Sequence, residues 1–228
     1  MKTALIVADV QNDFCHGGTL AVRNADEIVE PVNRLIALAA RRNWRVFVTR
    51  DWHPRDHISF RHQGGIWPPH CIVDSQGAAF HPALNVPADA TLVSKATLPQ
   101  QEAYSAFEGT NLRSLLVLQG VDHVVLAGLT TDYCIKNTAL DALRFGFGVT
   151  VVEDVIRAVN LKPADGPAAV AAMKEAGALM APLSKFVGGA KPRSIETKRV
   201  VHANKPVARK RKGVKAPEFE PAVFSAQD

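Results

Sequence analysis

Short apolar runs rich in β-branched residues recur along this chain, each followed by a helical stretch. They occupy residues 3–8, 45–49, 90–94, 123–127 and 149–152, with a weaker sixth at 178–181. Runs of this length with no polar alternation read as strands buried on both faces. Between them, residues 25–42, 111–119, 132–145 and 164–176 carry apolar side chains at helical spacing, with Ile28, Val32, Leu35, Ile36 and Ala39 on one face of the first and Asn24 placed as its N-cap. Strands that alternate with helices predict an α/β fold. The expected form is a single-domain, doubly wound, mostly parallel six-stranded sheet with helices on both faces.

In such sheets ligands bind beyond the carboxyl ends of the strands. Reactive residue types gather there: Asp9 ends the first run, Asp51 lies just past the second, Lys95 ends the third, and Cys134 follows the fourth. Taken singly, Asp9 reads as a turn residue and Lys95 as a solvated lysine. Four such residues at four strand ends point to a site. Cys134 falls at the start of a helix, where free N–H groups and the helix dipole favour the thiolate, so a nucleophile with a lowered pKa is expected. The competing reading is a buried structural cysteine.

Residues 50–84 follow no regular pattern and hold five His, two Trp and four Pro. Long irregular segments in compact domains are functional or disordered, and this one is rich in titratable and aromatic residues. Asp51 and His53 are two apart and point the same way in an extended segment. With His57 and His70 nearby, they form a carboxylate–imidazole set suited to Zn, Fe or Mn. Three protein ligands would leave positions open for water or substrate. Loop histidines that cap or solvate are the plainer alternative.

The motifs A-D-V-Q-N-D-F, R-D-W-H-P-x-D-H-x-S-F, W-P-P-H-C, V-S-K, A-Y-S-A-F-E-G and G-L-T-T-D-Y-C, in this order over residues 1–185, resemble the nicotinamidase/pyrazinamidase branch of the isochorismatase-like hydrolases. The resemblance implies a cysteine amidohydrolase that turns nicotinamide and water into nicotinate and ammonia, acts on pyrazinamide, and serves NAD salvage. It implies Asp9, Lys95 and Cys134 as the catalytic triad. Asp51, His53 and His70 are the implied ligands of one divalent metal ion, and His57 matches a fourth ligand present in some members. Thr130 and Cys134 would supply the oxyanion hole. Phe14, Trp67, Tyr104 and Tyr133 would line the pyridine pocket, and the Leu129–Thr130 bond matches a cis peptide.

Rival readings are a vinyl-ether hydrolase of the same fold, an amidase for carbamoylated amines, and a binding protein on an inactivated hydrolase fold. The first two need no D-x-H…H metal set. The third is disfavoured because Asp9, Lys95 and Cys134 are all present.

Charge divides the chain. Residues 191–228 hold ten Lys/Arg against four Asp/Glu, so +6 of a formal total of +5, which leaves −1 for residues 1–190. The expected organisation is a hydrolase domain over 1–190 and a basic, mobile extension over 191–228. The plainer reading is a solvated extension that aids solubility; the alternative is weak polyanion binding by the cluster Arg209–Lys212. Phe219, Val223 and Phe224 are candidates for a subunit contact in an expected homo-oligomer. Three cysteines far apart argue for a reducing compartment, and Met1–Thr3 lacks a signal-peptide layout, so a cytoplasmic protein is expected. No apolar run reaches the length of a membrane span.

Overall fold

A computed structural model describes residues 1–187. The basic extension and its proposed contacts lie outside the described residues. Six strands, β1 (Thr3–Ala8), β2 (Arg45–Asp51), β3 (Thr91–Lys95), β4 (His123–Leu129), β5 (Gly148–Arg157) and β6 (Leu179–Ala181), form one sheet in the order β3-β2-β1-β4-β5-β6. Every neighbouring pair is parallel. The order reverses direction between β1 and β4, and there the crossovers leave to opposite faces and open a crevice.

Strand β1 explains why these runs carry no polar alternation. Leu5 and Val7 pack into one core with Val32, Leu35 and Ile36 of α1 (Val29–Arg41). Ala4, Ile6 and Ala8 pack into the other, against Leu112 and Leu116 of α2 (Leu112–Leu118), Ala139 and Ala142 of α3 (Lys136–Arg144) and Met173 of α4 (Asp165–Glu175). Burying one such large aliphatic side chain is worth about 1.5–3 kcal/mol, so both faces of β1 are held strongly. A short helix, α5 (Ser184–Val187), adds Phe186 and Val187 to the α1 face.

The structure corrects several sequence expectations. The segment over 25–42 opens with a 3-10 turn, Ala25–Ile28, before α1 begins. Asn24 is left-handed at φ 59° and makes no side-chain cap, because the tight turn, not an α-helical N-terminus, follows it. Strand β5 runs five residues beyond 152, through polar Glu153 and Asp154, after an irregularity opposite Leu126–Gly128. Among the described residues, no helix is long and apolar enough to cross a membrane.

Candidate active site

The turn that carries Cys134 is built by the end of β4. Gly128 has φ 120°, and a Cβ there would collide with the Ala8 carbonyl oxygen, so only glycine lets β4 pass β1 at this point. The cis Leu129–Thr130 peptide follows. The next turn, Thr131–Ile135, is π-helical instead of α-helical, closed by Ile135 N–H donating to the Thr130 carbonyl at 2.9 Å. Such wide turns recur at functional sites. Asp132 ties the turn down: its buried carboxylate accepts the N–H groups of Val159 at 3.0 Å and Asn160 at 2.8 Å.

Asp9 and Lys95 meet this turn from the ends of β1 and β3. Asp9 is fully buried at a left-handed φ of 50°. Its Oδ1 accepts the Thr49 hydroxyl at 2.5 Å. Its Oδ2 faces Lys95 Nζ at 3.2 Å but has no aligned hydrogen bond, which leaves it the free oxygen of the pair. Lys95, only 1% exposed, also reaches the Asp51 carboxylate, the Ala103 carbonyl at 3.3 Å and Cys134 Sγ at 3.5 Å. Oxygens of Asp9 and Asp51 and the Cys134 sulfur lie within 4.8 Å of one another.

The electrostatics follow from one ammonium enclosed by two carboxylates. Burial works against the Lys95 charge, but Asp51 and Asp9 outweigh it and hold the pKa well above the ordinary lysine value. Asp51 is lowered from the ordinary carboxylate value, because the Lys95 ammonium beside it overcomes its burial. Asp9 goes the other way: burial, with Asp51 adding to it, outweighs the pull of Lys95 and raises it. Burial likewise pushes the Cys134 thiol well above the ordinary value. Lys95 opposes the rise, while Asp9 and Asp51 add to it. The lowered thiol pKa expected from the helix start is therefore corrected. Desolvation and two nearby carboxylates exceed the effect of a helix terminus.

Beside this group, Asp51, His53 and His70 place ligand atoms within 4.8 Å of one another, and all three are buried. His53 Nδ1 meets the His70 carbonyl at 3.1 Å, and His70 Nδ1 meets the Pro68 carbonyl at 2.8 Å. Carbonyls only accept, so Nδ1 carries the proton in each ring and Nε2 keeps its lone pair in the neutral form. Burial lowers the His53 pKa to about 3, against the pull of Asp51, so the ring is neutral. Two imidazoles fixed through their far nitrogens, plus a carboxylate, fit a divalent transition metal.

His57 is not brought into this set. Its Nδ1 accepts the Ser59 N–H at 3.3 Å and lies 2.7 Å from Ser59 Oγ, so Nε2 carries the proton and donates to the Gln101 carbonyl at 3.0 Å. These contacts engage both ring nitrogens, while His57 also lies with His53 and Glu102 in a second group whose ligand atoms are within 4.8 Å of one another. A separate cluster, Cys15, Asp26 and His81, is occupied in the same way: His81 Nδ1 accepts the Ala83 N–H at 3.2 Å and Nε2 faces Asp26 at 3.5 Å.

Cys134 and the Asp51, His53 and His70 set open into one cleft. Phe14, Trp67, Tyr104 and Tyr133 line it, together with Thr130 and Cys134. Trp67 Nε1–H donates to the Tyr104 hydroxyl at 3.0 Å, and Tyr133 packs on both rings with centroids 5.0 and 5.1 Å away. Leu20, Ser59, Glu102, Ala103 and Val159 complete the wall. Sequence reasoning missed these, as it missed the tie made by Asp132, which sits inside a quoted motif, the available signal.

The family model described as Isochorismatase domain matches residues 3–184. The chain is 39% identical over 204 residues to the nicotinamidase of Escherichia coli K12, covering 80% of this chain and 96% of that protein. Among solved structures it resembles the pyrazinamidase of Pyrococcus horikoshii in complex with zinc, at 43% identity and TM-score 0.77, covering 80% of this chain and 99% of that one. It also resembles PnC1 from L. infantum in complex with nicotinate, at 34% identity and TM-score 0.75, covering 80% and 93%.

Proposed function

The chain belongs to the isochorismatase family, in its nicotinamidase/pyrazinamidase branch, and on that premise we propose that it hydrolyses nicotinamide to nicotinate and ammonia. Pyrazinamide is a second substrate in this reading, and the reaction serves NAD salvage in the cytoplasm. The three free, buried cysteines suit that reducing compartment. One observation carries the proposal: Asp9 Oδ2, ion-paired with the Lys95 ammonium, and the Cys134 sulfur converge beside a buried Asp-His-His set, and Cys134 and that set line a single aromatic cleft.

An amide is a weak electrophile with a poor leaving group, so a covalent intermediate divides one high barrier into two lower ones. Cys134 rests as a thiol, so its proton leaves as the sulfur attacks. Asp9 Oδ2 receives that proton while the S–C bond forms at the carboxamide carbon. The N–H groups of Thr130 and Cys134 receive the oxyanion, each such donor being worth about 3 kcal/mol. Asp9 then passes its proton to the departing amine, the C–N bond breaks, and ammonia leaves a thioester. Asp9 next takes a proton from water, whose oxygen attacks the thioester carbon. The sulfur departs, is reprotonated, and nicotinate is released. Lys95 keeps its charge throughout, holds Asp9 in place and offsets the negative charge gathered around it.

Asp51, His53 and His70 would hold the metal ion. Held there, such an ion would supply a Lewis-acid centre for anchoring the pyridine ring, which would orient the carboxamide towards Cys134. Phe14 and Trp67 bury the ring faces. The test is ammonia release from nicotinamide and pyrazinamide, before and after metal is stripped by a chelator, with isochorismate as a control. Turnover of both amides and loss on chelation are expected. Cleavage of isochorismate with no ammonia from nicotinamide would overturn the reading.

A further inference from the structure

Strand β1 stops pairing with β2 before β2 is finished. The last paired residues are Val7 and Val48, and Asp9 N–H still reaches the Thr49 carbonyl at 3.2 Å. Asp9 then turns left-handed and leads the chain away, which opens the gap that the site occupies. Strand β2 runs on to Asp51, paired with Lys95 of β3 on one side only. Its other edge, deep in the protein, faces the gap.

The side chain of Gln11 fills that edge. Its Oε1 accepts the Asp51 N–H at 2.8 Å, and its Nε2 donates to the Asp51 carbonyl at 2.8 Å and to the Ala78 carbonyl at 2.9 Å. Gln11 is fully buried. The amide thus does for residue 51 what a neighbouring strand would do, with one acceptor and two donors in a rigid plane. No carboxylate or apolar side chain can make all three bonds. Without them the Asp51 N–H and carbonyl would stand buried and unpaired. Through this clamp the backbone of Asp51, and with it the direction of its carboxylate between Lys95 and the two histidines, is fixed.

We propose that Gln11 is a positioning residue for the metal set: by clamping the backbone of Asp51 in place of a missing strand, it preorganises the carboxylate that joins His53 and His70 in binding a divalent ion. The inference rests on the metal reading given above. Gln11 touches neither the ion nor the substrate, and its effect is on affinity.

The experiment measures zinc binding by full-length, metal-stripped protein in competition with a chromophoric chelator. Gln11→Met keeps the length and removes all three bonds. Gln11→Glu keeps the acceptor and removes both donors, and it decides the matter if the Met variant does not fold. Either variant should bind zinc about 10- to 100-fold more weakly than wild type, the usual effect of losing an outer support of a metal ligand. Leu35→Val, which loosens the core away from the site, should lower thermal stability and leave zinc affinity alone. A folded Gln11 variant with wild-type zinc affinity would overturn the proposal. Wild-type protein that takes up no zinc would instead overturn the metal reading beneath it.

Discussion

The Lys95 ammonium stands 3.5 Å from the Cys134 sulfur, and still the thiol is held well above the ordinary cysteine range. Burial is the largest cause. The cation that would favour a thiolate is already shared between Asp51 and Asp9, and both carboxylates also face the sulfur. The arrangement therefore does not store a thiolate. It stores a thiol beside an open carboxylate oxygen, so deprotonation and attack are coupled.

Alkylation should reveal this directly. Only the thiolate reacts, so the rate of Cys134 carboxamidomethylation by iodoacetamide should keep rising above pH 9, with no plateau near the ordinary thiol pKa. The rate at neutral pH should be well below that of a free thiol. A plateau near pH 8, measured by mass spectrometry of the Cys134 peptide, would show that the thiol is not raised.

Lys95→Met should destabilise the fold by roughly 3–5 kcal/mol, because two buried carboxylates lose their partner. The sign of its pH dependence is fixed. Without Lys95, burial and mutual repulsion raise the folded pKa values of Asp9 and Asp51 above their unfolded ones. Across that window the folded state binds more protons, so stability falls as pH rises. In wild type Asp51 is lowered, and its contribution is instead lost as pH falls through its folded pKa. Urea unfolding of the variant at pH 4 and pH 7 should show the acid condition favoured. Equal stability at the two values would contradict the ion-pair account.

Cys134→Ala should cut nicotinamide turnover by roughly 10⁴-fold or more, as loss of the nucleophile does in comparable triads. Cys15→Ala and Cys71→Ala should retain most activity, since neither lines the cleft. Wild-type turnover by Cys134→Ala would end the thioester mechanism.

Much of the fold was legible because β1 and β4 are buried on both faces, and such strands advertise themselves as unbroken apolar runs. Asp9, Lys95 and Cys134 could be gathered because strand ends in a parallel sheet share one edge. What resisted reading depends on backbone detail. The π-helical turn at Thr131–Ile135 has the same apolar spacing as an α-helical one. The engagement of both His57 ring nitrogens depends on Ser59 and the Gln101 carbonyl, the latter a partner with no sequence signature. The raised Cys134 pKa depends on how many carboxylates surround Lys95, which becomes visible only once the chain is folded.

Metal binding separates the histidines. His53→Ala or His70→Ala should weaken zinc affinity by at least about 100-fold, beyond the loss of an outer-shell partner, and raise KM for nicotinamide. His57→Ala should leave zinc stoichiometry intact, because both of its ring nitrogens are engaged by protein groups. Elemental analysis of each purified variant checks this. Loss of metal from His57→Ala alone would restore it as a ligand.

The last expectation concerns residues 191–228. Every residue assigned a role in the reaction lies between Phe14, or Asp9 before it, and Cys134, and the family match ends at residue 184. We propose a catalytic domain at 1–190, and a chain cut after Gly189 should keep kcat and KM for nicotinamide within about twofold of the full chain. Its net charge falls from +5 to −1, because the removed segment carries +6. Binding of the full chain to a polyanion such as heparin should therefore be weak, should decline steeply with salt, and should vanish on truncation. Chromatography on immobilised heparin at stepped ionic strength, run beside the ammonia assay, reads both properties. A truncated protein that folds but has lost amide hydrolysis would show that the segment completes the site or an oligomer, and the boundary at 190 would then be wrong.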